Sequence, residues 1–132
     1  MSVIGLDTCS IIDIFRGDKS IKKFLINNNE VLSATILSYL ELQFGINPDD
    51  KDHKEEQKYY DNFFSEILHF RLTDKACKKT SEIHWKLRKK GRKIDQFDCT
   101  IAGIFLSNGV NKILTRNTKH FERIDKIRVI RY

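Results

Sequence analysis

Five short strand-like runs, at residues 3–6, 30–33, 70–72, 112–115 and 128–130, are separated by stretches with helical spacing, and that alternation leaves the chain few folds. Parallel strands cannot be joined by a tight turn; each pair needs a crossover of about a dozen residues or more, and helical patterns fill those intervals here. The expected fold is therefore α/β, with helices packed around a mainly parallel sheet. Val3, Ile4, Gly5 and Leu6 carry no polar side chain, as in a strand covered on both faces, and Asp7 ends the run. Asp7 thus stands at a strand's carboxyl end, where open α/β sheets place their ligand crevice.

The helical intervals carry their own punctuation. Ser10 is placed to cap a helix through Phe15, and the Gly17-Asp18 turn leads into a second piece that Asn27 to Asn29 break. Helical spacing from Thr35 stops at Asn47-Pro48. Residues 52–69 read as one long amphipathic helix with Tyr59, Tyr60, Phe63, Phe64, Ile67 and Leu68 on its apolar side. Thr73-Asp74 cap a basic helix that Gly91 stops, and Asp95 or Gln96 opens another that Asn108-Gly109 end. With no repeat, linker or low-complexity segment, the 132 residues read as a single domain over 1–132.

Composition narrows the class. No apolar run approaches the roughly 20 residues of a spanning helix, and Asp7 sits where a signal peptide would be apolar, so no membrane association and a cytoplasmic address are expected. Cys9, Cys77 and Cys99 form no C-x-x-C pair and read as reduced thiols, outside any disulfide framework or cysteine zinc site. A net charge of +6 favours a polyanionic partner such as nucleic acid, through association rather than chemistry.

Two carboxylates fall where the pattern wants apolar residues. Leu37, Leu40, Glu41 and Phe44 share one helical stripe, and Asp98, Ile101, Ala102 and Phe105 repeat the same spacing. Taken singly, either acid reads as a helix cap or the partner of a lysine or arginine. Taken with Asp7 at a strand end, they suggest a shared cation, because an unpartnered buried carboxylate costs several kcal/mol. All-oxygen ligands suit Mg²⁺ or Mn²⁺ better than zinc. Asn117, just past the strand at 112–115, stands where it adds a carbonyl oxygen. Arg92 and Arg116 flank the acids in sequence and are candidate phosphate contacts, with Thr8 and Thr115 beside the strand ends as further substrate contacts. The lysines at 78, 79, 86 and 89 read as a solvated helix face. His120 reads as a surface residue, and His53, His69 and His84 show no mutual metal spacing. Trp85 and the Tyr59, Tyr60, Phe63, Phe64 cluster read as core or dimer contact.

Four blocks resemble the PIN-domain ribonucleases, in particular VapC-type toxins of toxin–antitoxin pairs. GLDTCSIIDIFRGD is similar to the family's first strand and aspartate, LSATILSYLELQFG to the helix bearing its glutamate, GRKIDQFDCTIAG to the segment bearing its next aspartate, and ILTRNTKHFERI to the strand and turn bearing its last polar ligand. The resemblance implies a PIN-like three-layer sandwich around a mainly parallel five-stranded sheet. It implies that Asp7, Glu41 and Asp98 bind one or two Mg²⁺ or Mn²⁺ ions with Asn117 at the fourth position. It also implies an RNA substrate, often structured RNA such as transfer RNA, a small antitoxin partner and a homodimer. The chain departs from the family at Cys9, where many relatives have serine or asparagine, and at Asn117, where others have aspartate; Asp95 is either a second-site acid or a helix-start acid. These departures leave room for a degenerate PIN-like module that binds RNA or protein without cutting. A phosphatase with Asp7 as covalent nucleophile is a weaker rival, because Cys9 stands where such enzymes need a second aspartate.

Overall fold

The computed structural model describes residues 2–132. Strand β1 (Val3–Leu6) leads into helices α1 (Thr8–Phe15) and α2 (Lys19–Ile26), then β2 (Val31–Thr35) and α3 (Ile36–Phe44). A 3₁₀ turn (Lys51–His53) precedes α4 (Lys54–Glu66), β3 (Leu68–Phe70), α5 (Asp74–Lys89) and α6 (Gln96–Ser107). The chain continues through β4 (Lys112–Leu114), α7 (Thr118–Phe121) and β5 (Arg128–Ile130). The five strands form one sheet, ordered β3-β2-β1-β4-β5, and every pair is parallel.

Alternation along the strands feeds two cores, one per face. Ile4, Leu6, Ala34 and Leu114 pack with Ile11, Ile21, Tyr60 and Phe64 from α1, α2 and α4. Ile113 packs on the opposite face with Ile83, Leu87, Ile101, Ile104 and Phe105 from α5 and α6. Adjacent residues such as Ile113 and Leu114 therefore bury on opposite sides, the period-two geometry of a strand covered twice. Each such aliphatic side chain contributes roughly 1.5–3 kcal/mol when fully buried.

Several local expectations change. The first helix starts at Thr8, with Asp7 rather than Ser10 as its N-cap, because the Asp7 side chain accepts from the Ser10 amide. The long helix expected over 52–69 is cut at both ends. Asp50 caps a separate 3₁₀ turn at its start. At its end Ile67 turns extended, so that residues 68–70 can pair with β2 in the register Ser33↔Leu68 to Thr35↔Phe70. The edge strand thus lies two residues before the expected 70–72; satisfying sheet hydrogen bonds overrides the apolar helical spacing of Ile67 and Leu68. The turn α7 carried no apolar periodicity to announce it. Tyr60 and Phe64 are core, but Trp85 is 54% exposed and packs against the Arg88 guanidinium. Among the described residues no helix is long and apolar enough to cross a membrane.

Helix α6 is held to α5 by a close approach at Gly103. A Cβ there would lie 2.9 Å from the backbone N and Cα of Thr80 and 2.0 Å from its Oγ1. Thr80 cannot yield, because its hydroxyl donates to the Ala76 carbonyl at 2.8 Å inside α5. Gly103→Ala is expected to force the helices apart at a cost of about 1–3 kcal/mol, read as a drop of several degrees in Tm by calorimetry.

Candidate functional site

The strand order reverses at the centre of the sheet: β1 is flanked by β2 on one side and β4 on the other, so the crevice of the fold opens at the carboxyl ends of β1 and β4. The register Leu6↔Leu114 sets Asp7 beside Thr115, one residue past the pairing. Asp7 is buried, and its Oδ1 accepts from the Ser10 amide at 3.0 Å, with the Ser10 hydroxyl at 2.7 Å. Its Oδ2 accepts from the Thr115 hydroxyl, and the Cys9 thiol stands 3.2 and 3.1 Å from the two oxygens. Charge-assisted donors and the positive end of α1 hold this carboxylate away from bulk water. Burial, and then the Asp7 charge, push the Cys9 thiol above its ordinary pKa, so Cys9 serves Asp7 as a protonated donor.

Two helices bring further acids to the same place. On α3, capped by Thr35, the Glu41 Oε1 accepts from the Thr8 hydroxyl at 2.6 Å, which ties the helix to the start of α1. On α6 the Asp98 Oδ2 meets the His120 Nδ1 at 2.6 Å and the Asn117 amide nitrogen at 3.4 Å. The Asn117 backbone N–H donates to the Thr115 hydroxyl at 2.8 Å, so one chain of contacts runs from Asp98 through Asn117 and Thr115 to Asp7.

The acids sense one another. Burial raises the Glu41 carboxyl above its usual range; the Thr8 hydrogen bond opposes that, and Asp98, Asp95 and Asp7 add repulsion. Burial likewise raises Asp98, against the opposing hydrogen bond and charge of His120, with Asp7 and Asp95 again repelling. Asp7 and Glu41 have no basic partner among the described residues, and Asp98 has only His120. Among those residues, however, no three Asp, Glu, His or Cys side chains stand close enough to grip one ion as they lie. In kind the donors fit a hard divalent cation: they are carboxylate oxygens under mutual repulsion. The Glu41 Oε2 and Asp98 Oδ1 carry no hydrogen bond among the described residues, while Oε1 and Oδ2 are held by Thr8 and His120.

The expected residues separate into two groups. Asp7, Glu41, Asp98, Asn117, Thr8 and Thr115 share this network, with Thr8 and Thr115 holding carboxylates. Asp95 caps α6, its Oδ2 accepting from the Phe97 and Asp98 amides at 3.0 and 3.2 Å. Arg116 is anchored to Asp13, Nε to Oδ2 at 3.1 Å, and the Tyr132 hydroxyl reaches that same oxygen at 2.5 Å. Arg92 is exposed on the segment before α6. Two expectations are corrected. His120 is no bystander on the surface: it lies against Asp98, and the spacing of Asn117 and His120, three apart just past a strand, was the available signal. Leu40 and Phe44 do not share a buried stripe with Glu41; they are 41% and 71% exposed, and α3 buries Leu37, Ser38 and Leu42 instead. A helix apolar on nearly every side offers no single stripe for periodicity to pick out.

The raised Glu41 carboxyl has a thermodynamic signature. The folded chain holds this proton to higher pH than the unfolded chain, so stability declines as pH rises from the unfolded value of about 4.3 through the raised one. Glu41→Gln removes that slope while keeping an acceptor for Thr8. Thermal melts are expected to show the variant more stable than the parent at pH 7, with the difference shrinking toward pH 4.

The family model described as PIN domain matches residues 4–127. Among solved structures, VapBC2 from Rickettsia felis bound to a promoter DNA fragment is similar at TM-score 0.84 and 22% identity, with 98% of each chain covered. DNA-bound VapBC from Salmonella typhimurium is similar at TM-score 0.82 and 26% identity, over 99% of this chain and 98% of that one. VapBC-1 from nontypeable Haemophilus influenzae is similar at TM-score 0.79 and 22% identity, over 98% and 97%. No curated protein matches the chain. An all-parallel five-stranded sheet, acids gathered at its central strand ends and a family match over nearly the whole length agree: the chain belongs to the PIN-domain family.

Proposed function

We propose that the chain is a divalent-metal-dependent endoribonuclease, the toxin half of a toxin–antitoxin pair acting in the cytoplasm. The observation that carries this reading is the gathering of Asp7, Glu41 and Asp98 at the carboxyl ends of the central strands, with Asp7 clasped by Thr115, Asp98 tied through Asn117 to that same hydroxyl, and Glu41 held by Thr8 beside Asp7. Membership of the PIN family supports the nuclease chemistry, and the VapBC complexes that the fold resembles support an antitoxin partner.

In this reading Asp7, Glu41 and Asp98 hold one or two Mg²⁺ or Mn²⁺ ions, with Asn117 beside them. A bound ion supplies charge neutralisation at the phosphate and a more acidic water. The chain's own groups do the positioning. Thr115, Ser10 and Cys9 fix the Asp7 carboxylate, Thr8 orients Glu41, and His120 with Asn117 orients Asp98. Asp7 or Asp98 takes the proton of the attacking water. Arg116, held at the rim by Asp13, and Arg92 meet the phosphates of RNA, transfer RNA among the candidates. A homodimer completes the proposed assembly.

The test is incubation of the purified protein with total RNA in Mg²⁺, Mn²⁺ or EDTA, with cleavage ends mapped. Cleavage is expected only with the ion, and is expected to fall about 100-fold or more in Asp7→Asn and Asp98→Asn. RNA binding with no metal-dependent cleavage would overturn the assignment in favour of a non-cutting module. Thr115→Val, which removes the hydroxyl on Asp7, is expected to weaken Mn²⁺ binding about 10–100-fold by titration calorimetry, since groups that orient a ligand carry that share of affinity.

A further inference from the structure

A basic groove lies between α5 and the turn that follows α7. Lys79, Glu82, Lys86 and Lys90 recur at helical spacing along one side of α5, and Arg123, Asp125 and Lys126 face them from the turn. Five cations thus meet two carboxylates over a floor that includes the buried Leu87 and Ile124. Glu82 is paired with Lys79 at 3.2 Å and Asp125 with Lys90 at 3.4 Å. Exposed pairs of this kind contribute little, so a stronger anion displaces them easily. Lys86 and Lys126 have no ion-pair partner among the described residues.

Lys126 stands in a conformation that folding alone disfavours. Its φ of 73° makes it the one non-glycine with positive φ among the described residues; Gly17, Gly91 and Gly109 take the other such positions. A side chain there costs stability that glycine avoids, so the ammonium is kept in the groove at the expense of the backbone. The groove also adjoins the acids. Arg123 lies one turn past His120, which touches Asp98, and its Nη1 donates to the Lys93 carbonyl at 2.9 Å, fixing the segment that carries the exposed Arg92 and Lys93 toward α6.

We propose that this groove is a backbone exosite that holds phosphates of the RNA at nucleotides outside the cleaved bond, an inference that rests on the ribonuclease reading. Grouped carboxylates repel a polyanion, so affinity has to be supplied away from the cleft. Lys79, Lys86 and Lys90 span about 16 Å along α5, room for several phosphates. Ammonium groups grip phosphate without reading base edges, so the exosite acts on the backbone whatever its sequence.

The test is fluorescence anisotropy of labelled total transfer RNA with the whole protein in EDTA, over a series of salt concentrations. Lys86→Gln and Lys126→Gly are each expected to weaken binding about fivefold at 0.15 M salt and to lower the salt slope by about one. Lys126→Gly relieves the backbone, so its Tm is expected to hold or rise while affinity falls. Lys22→Gln, the same charge change on α2 across the sheet, is expected to leave affinity and slope unchanged. Groove variants at full affinity, or a loss as large in Lys22→Gln, would overturn the exosite. So would poly-glutamate competing as well as RNA at equal charge, which would reassign the groove to an acidic protein. Metal-dependent cleavage with affinity indifferent to the groove variants sinks the exosite alone, whereas groove-dependent binding without metal-dependent cleavage sinks the nuclease assignment and leaves the exosite standing.

Discussion

A buried carboxylate ties the two halves of the sheet together. Asp7 closes β1, caps α1 and takes the hydroxyl of Thr115 from the end of β4, so one side chain satisfies a helix terminus and joins strands 108 residues apart in sequence. Its donors come from α1 and from the end of β4, and the Ser10 hydroxyl also reaches the Leu114 carbonyl at 2.6 Å. Because a buried charge without donors is costly, the positions of α1, β4 and the turn after β4 are all conditional on this group.

Around that satisfied charge the chain places two that are not fully satisfied. Glu41 and Asp98 are lifted by burial first and then by neighbouring carboxylates, with only Thr8 and His120 to offset the strain. A core built for stability alone would put apolar residues or basic partners there. That the conflict is confined to the carboxyl ends of the central strands, while the two cores behind it are conventionally apolar, is the mark of a site that departs from folding rules for chemical reasons.

Much of this was legible from residue order. Val3 to Leu6 announced a doubly covered strand, Thr73, Gly91 and Asp95 marked helix ends where the structure has them, and Asp7 and Asp98 betrayed themselves by standing among apolar neighbours. What escaped notice depended on long-range pairing. The edge strand at Leu68–Phe70 is strand only because β2 lies beside it. His120, three residues past Asn117, gains its partner only when α7 folds back against Asp98, 22 residues upstream. The helical stripe of Leu37, Leu40, Glu41 and Phe44 is half solvent-facing, and what holds Glu41 in place is the Thr8 hydroxyl from α1, which spacing along α3 does not reveal. Local pattern reports which side chains are out of place, and tertiary contact decides what they meet.

The order β3-β2-β1-β4-β5 has a temporal consequence. The strand that must lie beside β1 is the fourth to be synthesised, and Thr115 and His120 follow Asp7 by more than a hundred peptide bonds. Neither the clasp on Asp7 nor the one on Asp98 can form while those residues are still inside the ribosome. A nascent polypeptide of this kind therefore carries its acids in unassembled form until β4 and the turn after it have emerged.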